Sequence, residues 1–134
     1  MKEEYPMAEF GTLETLPGLT AAADLSGKQY HLVRYSAAWT VNQASEALHA
    51  SLIGVLQNKP KSGEAATVAD GGTSKVVAGA AVTMGVFLST DSSGRAITVV
   101  SNAVVFGTAI TAAGATGDVI TARLMKPVRW AGAA

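Results

Sequence analysis

The sequence predicts an all-β fold, a small barrel or sandwich in a single domain, and three observations carry that prediction. Apolar residues come in short runs rich in Val, Ile and Thr, separated by turn signals about every 8–12 residues. No wide apolar face recurs at helical spacing, and no strand–helix–strand unit can be traced. Finally, one hairpin unit is used twice. Ile53-Gly54-Val55-Leu56 leads through a polar loop, 57–62, into Gly63-Glu64-Ala65-Ala66-Thr67-Val68, and Phe106-Gly107-Thr108-Ala109-Ile110 leads through a small-residue loop, 111–116, into Gly117-Asp118-Val119-Ile120-Thr121-Ala122. In both copies a glycine sits one position into the first strand and a Gly-acidic pair opens the second.

Taken in order, residues 1–20 read as an extended arm ahead of a β-rich domain over 21–134. The arm carries Tyr5, Phe10, Leu13, Leu16 and Leu19 at irregular intervals that fit neither a helical face nor a sustained strand, with Pro6, Pro17 and Gly18 keeping it extended. From Lys28 to Tyr35 the pattern alternates as in a strand. The segment 42–51 fits one or two helical turns capped by Asn42 and fits a loop equally well. After the first hairpin, Asp70-Gly71-Gly72 reads as a turn into a short strand over 74–78. Val82 to Thr90 reads as a strand interrupted or bulged at Gly85, and Asp91-Ser92-Ser93-Gly94 is a strong tight-turn signal before a strand over 96–100. The second hairpin follows, and the chain closes on 125–130, for roughly eight strands.

Composition bounds what such a domain can do. The apolar fraction of 49% is inflated by alanine, so the core is thin and stability is expected to gain from subunit contacts. Val104-Val105-Phe106 and Trp130 are the expected contact residues of a homotrimer, because a ring of three buries apolar strands without an open sheet edge. Ten basic and ten acidic residues, scattered singly, give no footprint for a phosphate backbone, so no nucleic-acid partner is expected. No cysteine is present to form disulfides or thiolate metal sites. No leader pattern and no apolar run of membrane-spanning length is visible, so no membrane partner is expected either.

Reactive chemistry is equally hard to find. His31 and His49 lie on different elements without an acidic residue at ligand spacing, so no metal is expected. Gly71-Gly72-Thr73-Ser74-Lys75 reverses the order a phosphate loop needs and reads as a turn. There is no nucleophile elbow, no Ser-x-x-Lys pair and no singled-out carboxylate pair. The expectation is a protein without catalytic residues, cofactor or small-molecule substrate.

A series of short motifs in consistent order, over about residues 15–128, resembles the capsid decoration, or cement, proteins of tailed bacteriophages. They are Gly27-Lys28-Gln29-Tyr30-His31, Thr40-Val41-Asn42, Gly54-Val55-Leu56-Gln57-Asn58-Lys59-Pro60, Gly63-Glu64-Ala65-Ala66, Lys75-Val76-Val77-Ala78-Gly79, Thr90-Asp91, Gly94-Arg95-Ala96 and Gly117-Asp118-Val119-Ile120-Thr121. The resemblance implies a small β-barrel-like fold similar to the β-tulip of the lambda head-decoration protein. It also implies a trimer on the outer capsid surface of the virion that clamps the major capsid protein, and no enzyme activity. On that reading the arm residues Tyr5, Pro6, Phe10, Leu13 and Leu16 are the expected capsid-binding element, adding a strand to an exposed sheet edge. Two other classes fit a bland β domain: an adhesin or head-fibre module, which needs an aromatic and polar patch at its loop tips, and a small-barrel ligand binder, which needs a pocket with convergent polar groups.

Overall fold

The computed structural model describes residues 13–46 and 51–129. Over these residues it is all-β, with nine strands: β1 (Leu13–Ala21), β2 (Leu32–Ala37), β3 (Thr40–Gln43), β4 (Leu52–Leu56), β5 (Ala65–Val77), β6 (Phe87–Thr90), β7 (Ala96–Thr98), β8 (Val104–Ala109) and β9 (Val119–Arg129). Their order across the sheet is β1-β3-β2-β4-β5-β9-β8-β6-β7, and β1 also pairs with β5. That extra pairing closes a five-stranded barrel, β1-β3-β2-β4-β5.

The remaining strands repeat the same barrel. Ring one is closed by β1 running parallel to β3 through Ala21↔Val41 and antiparallel to β5. In ring two the far half of β5 takes the place of β1: it pairs antiparallel with β9, and Ala78, the residue just past its end, makes a single parallel bridge to Ala96 of β7. The hairpin β2–β3 corresponds to β6–β7, β4 to β8, and β5 to β9. Val33 opposite Gly54 becomes Leu88 opposite Gly107. The copies are related by a shift of about 55 residues, the internal self-similarity expected of a duplicated supersecondary unit, and β5 is the one strand common to both rings.

The duplication extends to individual backbone bonds. Gly63 N donates to Ala21 O and Ala21 N to Glu64 O; Gly117 N donates to Ala78 O and Ala78 N to Asp118 O. Gly63 (φ 83) and Gly117 (φ 94) both take the left-handed conformation, the third position of a type II turn that favours glycine. The acidic residue after each glycine closes its own loop: Glu64 Oε1 accepts from Lys61 N at 2.8 Å, and Asp118 Oδ2 accepts from Gly114 N at 2.8 Å and Ala115 N at 3.1 Å. Gly54 and Gly107 are small because a partner-strand carbonyl lies against each; a side chain would collide with Ala69 O and Arg123 O respectively.

Two apolar clusters fill the rings. Leu19, Ala21, Leu25, Val33, Val41, Ile53, Leu56, Ala66 and Val68 line the first. The larger cluster, centred on Val76, Leu88, Phe106 and Ile120, fills the second and reaches back to Leu32, Leu52 and Val55. β4 is buried along its whole length because its side chains serve both clusters.

Both hairpins and the Asp91–Gly94 turn stand as the sequence predicts: Val55↔Ala69 and Thr108↔Arg123 pair, Gly94 has φ 74, and Asp91 Oδ1 accepts from Ser93 N and Arg95 N. Three expectations are corrected. Residues 13–20, read as irregularly spaced and part of the arm, pair with β5 as a bulged strand that absorbs Pro17 and Gly18 between Leu16 and Leu19. Asp70-Gly71-Gly72 is no turn but the middle of β5, where a side chain on Gly71 would collide with Glu14 and Gly72 takes φ 78. The strand predicted over 28–35 is shifted to Leu32–Ala37, because Lys28–His31 forms a turn with Tyr30 at φ 67.

Candidate functional site

Several ionisable groups in the described residues hold turns and strands together. Arg95 Nε meets Asp91 Oδ2 at 3.1 Å, and Lys126 Nζ ties β9 to Asp70 of β5 at 3.2 Å. His31 is half-buried at the turn between the rings, with Nδ1 3.2 Å from Gln29 O. Desolvation pushes its pKa below the ordinary imidazole value, and the positive charges of Lys28 and Arg95 push the same way. Among the described residues no three His, Cys, Asp or Glu side chains gather as metal ligands. His49 lies outside the described residues.

What the surface offers is apolar area. Phe87, Thr108, Arg123, Leu124 and Met125 line a shallow groove of about 260 Å³ on the outside of ring two. It forms because Phe87, Thr108 and Arg123 are paired in one row across β6, β8 and β9, so their side chains share a face. Phe87 is 47% exposed there, and Val128 on the same strand as Arg123 is 51% exposed.

Among the described residues the most exposed aromatic side chain is Trp39, at 67%. It sits at the tip of the β2–β3 hairpin, where its backbone is left-handed (φ 57), a conformation that costs a residue with a side chain about 1–2 kcal/mol. Its carbonyl accepts from Thr20 N at 3.0 Å, and indole carbons Cε3 and Cζ3 lie 3.6 Å from the place a Gly18 side chain would occupy. The tip is therefore held, not loose. In ring two the same place in the hairpin, before Ala96 as Trp39 comes before Val41, is Gly94.

The residues expected to make contacts fare unevenly. Val104, Val105 and Phe106 are 4%, 2% and 1% exposed within one chain, so their side chains already have partners inside ring two. Leu13 is 38% exposed at the start of β1, and Leu16 packs against the first cluster. Tyr5, Pro6, Phe10 and Trp130 lie outside the described residues. Trp39, one of the two tryptophans that the sequence alone offers as core or interface anchors, stands exposed at the hairpin tip, where the second copy has glycine.

Comparison with known proteins gives the decisive observation: the family described as phage cement protein matches residues 19–124, nearly the whole of both rings. The chain belongs to the phage cement protein family. Membership implies association with the phage head as part of the virion. A solved structure, the N base of the head fiber gp8.5 of bacteriophage phi29, superposes with a TM-score of 0.64 over 84% of this chain and 94% of that one, at 21% identity. At that identity the likeness is one of fold. No curated protein matches. The family match begins after the first eighteen residues and ends at Leu124, so it covers Trp39, the groove except Met125 and most of both rings, and leaves out residues 1–12.

Proposed function

We propose that this cement protein sits as a homotrimer on the outer surface of the phage head and clamps neighbouring copies of the major capsid protein, stabilising the lattice without catalysing a reaction. The observation that carries the reading is the family match over both rings. A thin, alanine-rich core and an ionisable set engaged in holding turns together agree with a structural role.

With Val104, Val105 and Phe106 occupied inside the chain, the contact between copies falls to exposed apolar side chains on the outside of ring two. Phe87 and Met125 stand there, Val128 is exposed further along β9, and Trp130 follows two residues later in the chain. The arm before Leu13, with Tyr5, Pro6 and Phe10, supplies an additional grip on the capsid subunit, multiplied threefold by the trimer. Co-sedimentation of the purified protein with emptied, expanded heads of its phage tests the reading, and light scattering tests the trimer. Failure to bind heads under any condition, or a monomer both free and bound, overturns the corresponding half.

One observation favours the second reading, a head-fibre or adhesin module. Such a module needs an aromatic and polar patch at its loop tips, and Trp39 supplies the aromatic part. Binding to host envelopes but not to heads would decide for it.

A further inference from the structure

We infer that Trp39 is the anchor with which ring one docks into an apolar pocket on the head protein; the inference rests on the cement reading and goes beyond it by assigning the contact.

The internal repeat supplies the argument. Two non-glycine residues of ring one hold left-handed backbone where ring two has glycine: Tyr30 (φ 67) stands for Gly85 (φ 88), and Trp39 (φ 57) for Gly94 (φ 74). The first equivalence is fixed by matching bonds, Tyr30 N to Leu56 O and Gly85 N to Ala109 O, both 2.7 Å. The fold thus accommodates glycine at these positions, and an aromatic residue needs a reason to be there. Tyr30 has an internal one. Its ring packs against the larger apolar cluster, and Lys75 Nζ stands 5.9 Å from its centroid. Trp39 has no comparable burial, being 67% exposed, with only ring carbons Cε3 and Cζ3 beside Gly18. A strained, exposed and firmly held indole is a pre-ordered contact residue, since its ordering cost is met before binding.

The tip also indicates what it fits. Its neighbours Pro17, Gly18, Ala37, Ala38 and Thr40 carry no charge, so the complement is an uncharged pocket. One indole with flanking alanines buries only about 200 Å², far below the roughly 800 Å² per partner that a stable contact between copies needs. A second copy is therefore a poor occupant. A head lattice presents many identical pockets, and weak contacts repeated across an oligomer suffice there. Buried tryptophans of this kind carry a disproportionate share of binding energy.

The test uses the full-length protein and emptied heads. Trp39→Gly installs the residue ring two uses, and Trp39→Asn, which tolerates left-handed backbone, is the second variant. Both are expected to melt no lower than wild type and to keep its oligomeric state, while their affinity for heads falls by about thirtyfold or more. Unchanged head affinity in either folded variant overturns the inference, as does a variant whose loss is of self-association alone or of binding to host envelope glycans alone. If wild type itself does not bind heads, the cement reading fails and this inference with it; if wild type binds and Trp39→Gly binds equally, only this inference fails.

Discussion

Single atoms decide whether the two rings close. At Gly54 and Gly107 a methyl group would run into the carbonyl of the opposite strand, so Gly54→Ala and Gly107→Ala are each expected to cost about 1–3 kcal/mol in denaturant unfolding. Gly27, where an added methyl group would meet nothing within 4 Å, is the control, and Gly27→Ala should stay within about 0.5 kcal/mol of wild type. His31 makes a different kind of prediction. Burial and nearby positive charge lower its folded pKa below the ordinary value of 6.5, so the folded state prefers the neutral ring. The unfolded chain then takes up the proton first as pH falls, and stability is full above the unfolded pKa and lost below it. Melting temperature should decline from about pH 7 to about pH 5, and His31→Gln should flatten that step. A wild-type profile that rises on acidification over this interval would contradict the assignment.

Strands, unlike loops, cannot be trimmed freely, and β1 shows where the boundary lies. Removing residues 2–12 leaves every described pairing of β1 in place, whereas removing 2–16 strips Leu13↔Gly72, Glu14↔Gly71, Thr15↔Ala69 and Leu16↔Val68 from the seam that closes ring one. The shorter deletion should melt like wild type and the longer one several degrees lower, by circular dichroism. If the arm grips the head, the shorter deletion alone should weaken co-sedimentation. The sequence announces some of these elements and hides others for physical reasons. The two hairpins and the Asp91–Gly94 turn are legible because their geometry is set locally, by left-handed glycines and a carboxylate that reaches back to its own loop. β1 and the middle of β5 are not, because Pro17, Gly18, Gly71 and Gly72 are turn formers that tertiary pairing holds extended, with Glu14 lying where a Gly71 side chain would be. Val104-Val105-Phe106 reads as an outward apolar run, and nothing in the run itself says that β8 is the inner wall of a second barrel.

For the molecule as a whole, the shared strand dictates cooperativity. Because β5 is wall to both barrels, and Leu32, Leu52 and Val55 of ring one contribute to the cluster that fills ring two, neither ring keeps its core if the other opens. Calorimetry should therefore show one transition whose van't Hoff and calorimetric enthalpies agree, and two resolved transitions would refute it. Chelators should leave that transition unmoved, since its stability draws on packing and backbone pairing; a sharp fall in EDTA would refute this. The same arrangement is also a rule for growth. Each ring begins on the far half of the strand that ended the one before, and the far half of β9, from Met125 to Arg129, now stands where Lys75 and its neighbours stood when ring two began. A further unit of about 55 residues grafted after it could wind a third barrel on the same plan, turning the fold from a closed object into a filament written one barrel at a time.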